Sequence, residues 1–156
     1  ARLAAERGLP YAFASHFAPR LALQAIDIYR NSFRPSEALD KPYVTIGVPL
    51  IAAPTDEEAE YLASSNYQRV LGILTGNRRR LQPPVENFMA GLRSEERAAI
   101  GDFLAAAVVG GPERVHEGFS RLAELTQADE FMLVSDIYDP ELRLRALDIA
   151  AAAVAA

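Results

Sequence analysis

The sequence predicts an α/β fold: about three parallel strands alternating with helices, with a helical insertion before the last strand, enough to fill half of an eight-stranded barrel. Three observations carry this prediction. Residues 11–17 and 131–135 are short apolar runs, and residues 43–53 are β-branched and almost continuously apolar, as suits a strand covered on both faces. A helix-opening signal follows each run: Pro19, the capping box Thr55-Asp56-Glu57-Glu58, and Pro140. Strands that alternate with helices imply parallel βα units with right-handed crossovers. Three strands alone would leave such a sheet poorly covered, so half a barrel is the better fit.

Each element has a local cause. Residues 1–7 read as the last turns of a helix that opens without Met or N-cap, and Gly8 is its stop signal. That opening leads us to expect preceding sequence, with this chain as the C-terminal half of a larger protein. In the first strand, Tyr11, Phe13, Ser15 and Phe17 share one face and Ala12, Ala14 and His16 the other. Only one of Ser15 and His16 can therefore point into a barrel.

Pro19 opens a helix whose stripe is Ala22, Ala25, Ile26, Tyr29 and Phe33. Pro49, inside the second strand, implies a bulge or an unpaired edge. The capping-box helix runs to about Thr75, where Gly76 stops it. Residues 77–84 are irregular, and helical segments follow at 85–92 and 95–107, the second capped by Ser94. The chain thus reads as one partial domain, residues 1–156, with an insertion at about 77–107. Residues 108–113 break the pattern before a helix that starts at Pro112 and carries Val115, Phe119, Leu122 and Leu125 on one face. The last helix begins at Pro140, with Arg143 and Arg145 on its outer side.

Composition narrows the function. Net charge is −5 over 156 residues and the pI is about 5.1, which argues against nucleic acid as partner. The absence of cysteine excludes disulfides, a thiol nucleophile and a cysteine-based zinc site, and it fits a cytoplasmic protein. No apolar run approaches the roughly 20 residues that span a bilayer, so no membrane partner is expected. The two histidines are far apart and share no carboxylate pattern, so no metal site is expected either.

Six segments, in order, resemble the bacterial luciferase-like flavin-dependent monooxygenases. They are Gly8-Leu9-Pro10-Tyr11-Ala12-Phe13-Ala14; Tyr29-Arg30 with Phe33-Arg34-Pro35-Ser36; Pro42-Tyr43-Val44; Ala53-Pro54-Thr55-Asp56-Glu57-Glu58-Ala59; Val108-Val109-Gly110-Gly111-Pro112-Glu113; and Ala128-Asp129-Glu130-Phe131-Met132. The resemblance implies the C-terminal half of a TIM-type barrel. It also implies a chemistry in which reduced FMN, or a deazaflavin in related branches, works with O₂ on a small organic substrate. The cofactor does the hard step while the protein orients it and excludes water. In this family the position of Ser15 lies near the flavin ring. Luciferase has a large aromatic there. The main phosphate contacts come from strands upstream of residue 1.

The candidate cofactor-binding residues are accordingly Ser15 and His16, at the C-terminal end of the first strand, the side where barrel enzymes work. Asp136 and Tyr138 follow the last strand on the same rim and are candidates for the substrate pocket. Asp139 reads either as a rim residue or as the cap of the final helix. Arg79, within Arg78-Arg79-Arg80, either meets an anion or lies on a solvated loop. His116 reads as a surface residue. An isolated half is expected to be inactive and to pair with a missing N-terminal half or with a second copy, since open sheet edges invite pairing. The rival reading is a non-catalytic half-barrel that serves assembly or binding.

Overall fold

The computed structural model describes residues 1–15 and 19–155. In chain order the elements are α1 (Arg2–Glu6), β1 (Tyr11–Phe13), α2 (Pro19–Ser32), β2 (Val44–Ala52), α3 (Asp56–Leu74), α4 (Ser94–Phe103), β3 (Val108–Gly110), α5 (Pro112–Thr126), β4 (Glu130–Val134) and α6 (Pro140–Ala155). Every strand pairing is parallel and involves β2. β1 pairs with Val44–Ile46, β4 with Thr45–Pro49, and β3 with Leu50–Ala52. Thr45 and Ile46 pair with both β1 and β4, so those two strands lie on opposite edges of β2.

The architecture is the predicted parallel α/β arrangement, with one strand more than expected. Val108–Gly110 forms β3, although three residues ahead of a Gly-Pro turn are too few to show a period. It pairs with the C-terminal end of β2, Leu50–Ala52. The first strand is shorter than the predicted 11–17. It ends at Phe13, because the Ser15 N–H folds back onto the Phe13 carbonyl at 2.9 Å. β1 ends opposite Ile46, so residues 47–49 meet no strand on that edge among the described residues, and a proline there costs no ladder bond.

β2 is buried along nearly its whole length, on both faces. On the helix-facing side, Tyr11 stacks on Tyr29 with ring centroids 5.1 Å apart, and Phe33 meets Tyr29 edge-on at 5.7 Å. Phe131 of β4 packs on Phe119 of α5 at 5.8 Å. On α6, Ala146, Ala150 and Ala153 recur at helical spacing and are buried, so small side chains let that helix approach closely. His116 lies on α5 with its Nδ1 2.8 Å from the Ala153 carbonyl.

Several sequence expectations shift. Leu125 is 59% exposed, and Thr126 takes the core position one residue later, with its hydroxyl donating to the Leu122 carbonyl at 2.6 Å. The cap of α4 is Arg93 rather than Ser94. The Arg93 N–H donates to Glu96 Oε2 at 3.0 Å, and the Arg93 guanidinium holds the Glu96 carboxyl below its ordinary range. That helix stops at Phe103, short of 107, and residues 85–92 yield only a 3₁₀ turn, Phe88–Gly91. Arg143 and Arg145 do not simply face outward. The Arg143 guanidinium donates to the Ile137 carbonyl at 2.6 and 3.1 Å, and Arg145 pairs with Glu58 on α3.

Candidate functional site

Because the strands are parallel, their C-terminal ends gather on one side, and the chain leaves β1, β2, β3 and β4 there. Thr55 caps α3 by accepting the Glu58 N–H at 3.2 Å, as the capping box predicts. Asp56 then ties two helix starts together. Its Oδ1 accepts the Gly111 N–H at 2.8 Å, and its Oδ2 pairs with Arg114 Nε at 3.2 Å. A Cβ on Gly110 would lie 2.5 Å from the Arg114 Cβ and 2.9 Å from Asp56 Oδ1, so glycine is what admits this junction.

Ser15 is 1% exposed, and its hydroxyl donates to the Gly47 carbonyl at 2.7 Å. The hydroxyl extends the sheet edge where β1 stops and is committed to backbone. We expect Ser15→Ala to cost about 1 kcal/mol of stability, read by urea denaturation. An unchanged midpoint would show that this hydrogen bond adds nothing to stability. His16 lies outside the described residues.

At the end of β4, Asp139 proves to be the helix cap, with Oδ1 accepting the Glu141 and Leu142 N–H groups at 2.8 and 3.2 Å. Tyr138 is 49% exposed on the same rim. Asp136 does not stand alone, because its Oδ2 is 2.8 Å from Arg69 Nη2 on α3, with both side chains about three-quarters covered. Arg69 also donates to Asn66 Oδ1, at 3.1 and 3.3 Å. α3 therefore reaches the C-terminal end of β4. Beside Asp136, the Ser135 hydroxyl is buried with no hydrogen-bond partner among the described residues.

Two cavities of about 250 and 390 Å³ open around the C-terminal half of α3, and both are lined by Arg69 and Arg79. Arg79 is exposed, and its Nε donates to Asn77 Oδ1 at 3.4 Å. A third cavity, about 340 Å³, lies between α3 and residues 85–90. There the Tyr67 hydroxyl donates to Glu60 Oε2 at 3.0 Å. Burial, and then the Glu60 charge, push the phenol well above its usual range, so it stays protonated. Ser64 pins this loop by accepting the Val85 N–H at 2.7 Å.

The structure thus brings Asp136 to Arg69 and sets Arg79 on cavities that Arg69 also lines, whereas Ser15 is spent on the backbone. Arg69, Asn66 and Ser135 were missed in the sequence reading. The available signal was the polar pair Asn66 and Arg69, one helical turn apart on α3. Ser135 gave none. Among the described residues, no group of three or more His, Asp or Glu could hold a metal ion, and no helix is long and apolar enough to cross a membrane.

This arrangement matches known proteins along nearly the whole chain. The uncharacterized protein YvbT of Bacillus subtilis is 44% identical over 97% of this chain and 45% of its own length. A luciferase-like monooxygenase of Escherichia coli is 37% identical over 96% of this chain and 45% of its own. The crystal structure of apo-MsnO8 superposes with a TM-score of 0.78 at 28% identity, covering 99% of this chain and 47% of that one. The chain spans about half the length of the curated relatives it matches. A family model described as luciferase-like monooxygenase matches residues 1–128. With its parallel βα order and the six segments that first suggested the likeness, the chain belongs to the luciferase-like monooxygenase family.

Proposed function

We propose that this chain forms the C-terminal strands of a flavin-dependent monooxygenase that uses reduced FMN and O₂ on a small organic substrate. The observation that carries this reading is the end of β4, where a buried Ser135 hydroxyl with no partner among the described residues adjoins the Asp136–Arg69 pair in a chain of this family. An unpaired buried hydroxyl costs stability unless a ligand atom completes it. Ser135 therefore fits a polar edge of the flavin, and Asp136, Arg69 and Tyr138 fit the wall beside the substrate. Ser15, with its hydroxyl on the Gly47 carbonyl, stands at the end of β1 on the same side. The bound flavin supplies the oxygen chemistry. These residues orient ligands and exclude water, and α3 with the segment that follows it covers the rim.

Anaerobic titration of the protein at its full natural length with reduced FMN tests this. We expect binding, and a loss of about tenfold in Ser135→Ala with no loss of stability in the unliganded protein. Failure to bind reduced FMN would sink the reading, and preference for a reduced deazaflavin would redirect it.

A second reading, an assembly half-barrel, rests on a separate observation. The outer edges of β1 and β4 carry no strand among the described residues. Beside β4 runs an apolar groove of about 610 Å³, lined by Phe119, Phe131, Leu133, Leu147, Ala150 and Val154. An upstream half would close these edges within one barrel, and a second copy would do so as a homo-oligomer. Light scattering separates the two.

A further inference from the structure

We propose that, in the protein at its full natural length, Glu130 forms a buried ion pair with an arginine or lysine from the strands that complete the barrel. The inference rests on reading this chain as the C-terminal strands of a longer barrel, and it names the chemistry the other strands must bring. The chain covers 45% of the length of two of its curated relatives. Strand register fixes where Glu130 stands. Residues paired across a parallel sheet share a face, and Ala12, Thr45 and Glu130 form one such row. Their neighbours Tyr11 and Phe131 turn the other way, onto Tyr29 of α2 and Phe119 of α5. The row therefore faces away from the helices, toward the interior of a closed barrel. Gly47, Pro49, Met132 and Val134 continue that face, and among these paired residues Glu130 alone is charged.

In the described chain Glu130 is exposed, and its Oε2 accepts the Thr45 hydroxyl at 3.0 Å. It forms no ion pair among the described residues. Asp129 beside it is already engaged, with its Oδ2 accepting the Val44 N–H at 2.7 Å. A barrel interior is a packed core, so closure takes the Glu130 carboxylate out of water. One neutral hydroxyl does not offset that cost, and a buried carboxylate calls for a partner of opposite charge. The groove along the open edge of β4 has the matching character. Its wall is apolar apart from Asp129 and Glu130. A segment laid there is accordingly apolar along its length and basic where it passes the start of β4.

The test is urea denaturation of the full-length protein and its Glu130→Gln variant, without flavin, together with a crystal structure of the wild type. Glutamine keeps the shape and an acceptor for Thr45 but removes the charge, leaving the partner cation buried alone. We expect the unfolding equilibrium to shift toward the unfolded state by about a hundredfold or more. Neutralising the basic partner in the Glu130→Gln background should recover most of that loss. Equal stability of wild type and Glu130→Gln would overturn the proposal, as would no recovery in the double variant. Should the variant fail to fold, the wild-type crystal structure decides. An Arg or Lys nitrogen within about 4 Å of the carboxylate is expected, and neutral or solvent neighbours alone would overturn the pair. A cation supplied by a second copy would also overturn it. No readout involves flavin, so failure to bind FMN leaves the ion pair standing, and absence of the pair leaves the flavin reading untouched.

Discussion

Replacing Tyr29 with alanine is expected to destabilise the protein by about 3–5 kcal/mol, the range for truncating a fully buried aromatic side chain. Tyr29 is 0% exposed and sits where α2 meets the sheet. Its ring stacks on Tyr11 and takes Phe33 edge-on, so truncation opens a cavity bounded by two other aromatics. Its hydroxyl donates to the Leu9 carbonyl at 2.9 Å and accepts the Tyr43 N–H at 3.1 Å, joining the entry of β1 to the entry of β2. Tyr29→Phe separates the two contributions. It keeps the ring and strands both backbone groups, for about 1–3 kcal/mol. Urea denaturation of both variants checks the division. Equal losses would mean that the hydroxyl, and not the ring, carries the site.

Gly8→Ala is expected to cost about 3 kcal/mol, combining left-handed backbone strain with a steric clash. Gly8 has φ +61°, and an added Cβ would lie 2.6 Å from the Arg34 carbonyl oxygen and 2.5 Å from the Ser36 Cβ. The first of these neighbours is backbone and cannot rotate away. The same turn is held by the Ser36 hydroxyl, which donates to the Gly8 carbonyl at 2.9 Å, and by the Arg34 N–H, which donates to the Ala5 carbonyl at 2.9 Å. Alanine should therefore loosen α1 from the end of α2 as well as lower global stability. Hydrogen exchange at the Arg34 amide reports the local part. Unchanged protection there would show that the cost is global strain alone.

Both positions lie in segments that were legible in the sequence. Gly8 announced itself as a helix stop, and Tyr29 lay on the apolar stripe of a helix opened by proline. β2 was equally plain, because nine residues of nearly unbroken apolarity can only be covered on both faces. β3 was not legible. Its three residues are too few to carry a period, and they become a strand only because the end of β2 is there to pair with them. Leu125 and Thr126 were misassigned for a related reason. At neighbouring positions a helix stripe can turn either residue inward, and packing against the sheet chose the hydroxyl, whose bond to Leu122 makes its burial tolerable.

The candidate site divides in the same way. The sequence by itself determined the parallel βα order, the cap at Thr55, the family resemblance, and the rim on which Asp136, Tyr138 and Arg79 would be sought, whereas the structure decided that Asp139 is a cap. Hydrophobic period and capping chemistry are local, so a linear reading reaches them. Only the tertiary structure decided that Ser15 spends its hydroxyl on Gly47, that Arg69 crosses to Asp136, and that Ser135 finds no partner among the described residues. Those outcomes depend on groups dozens of residues apart competing for the same few hydrogen bonds, and no spacing along the chain records which one wins.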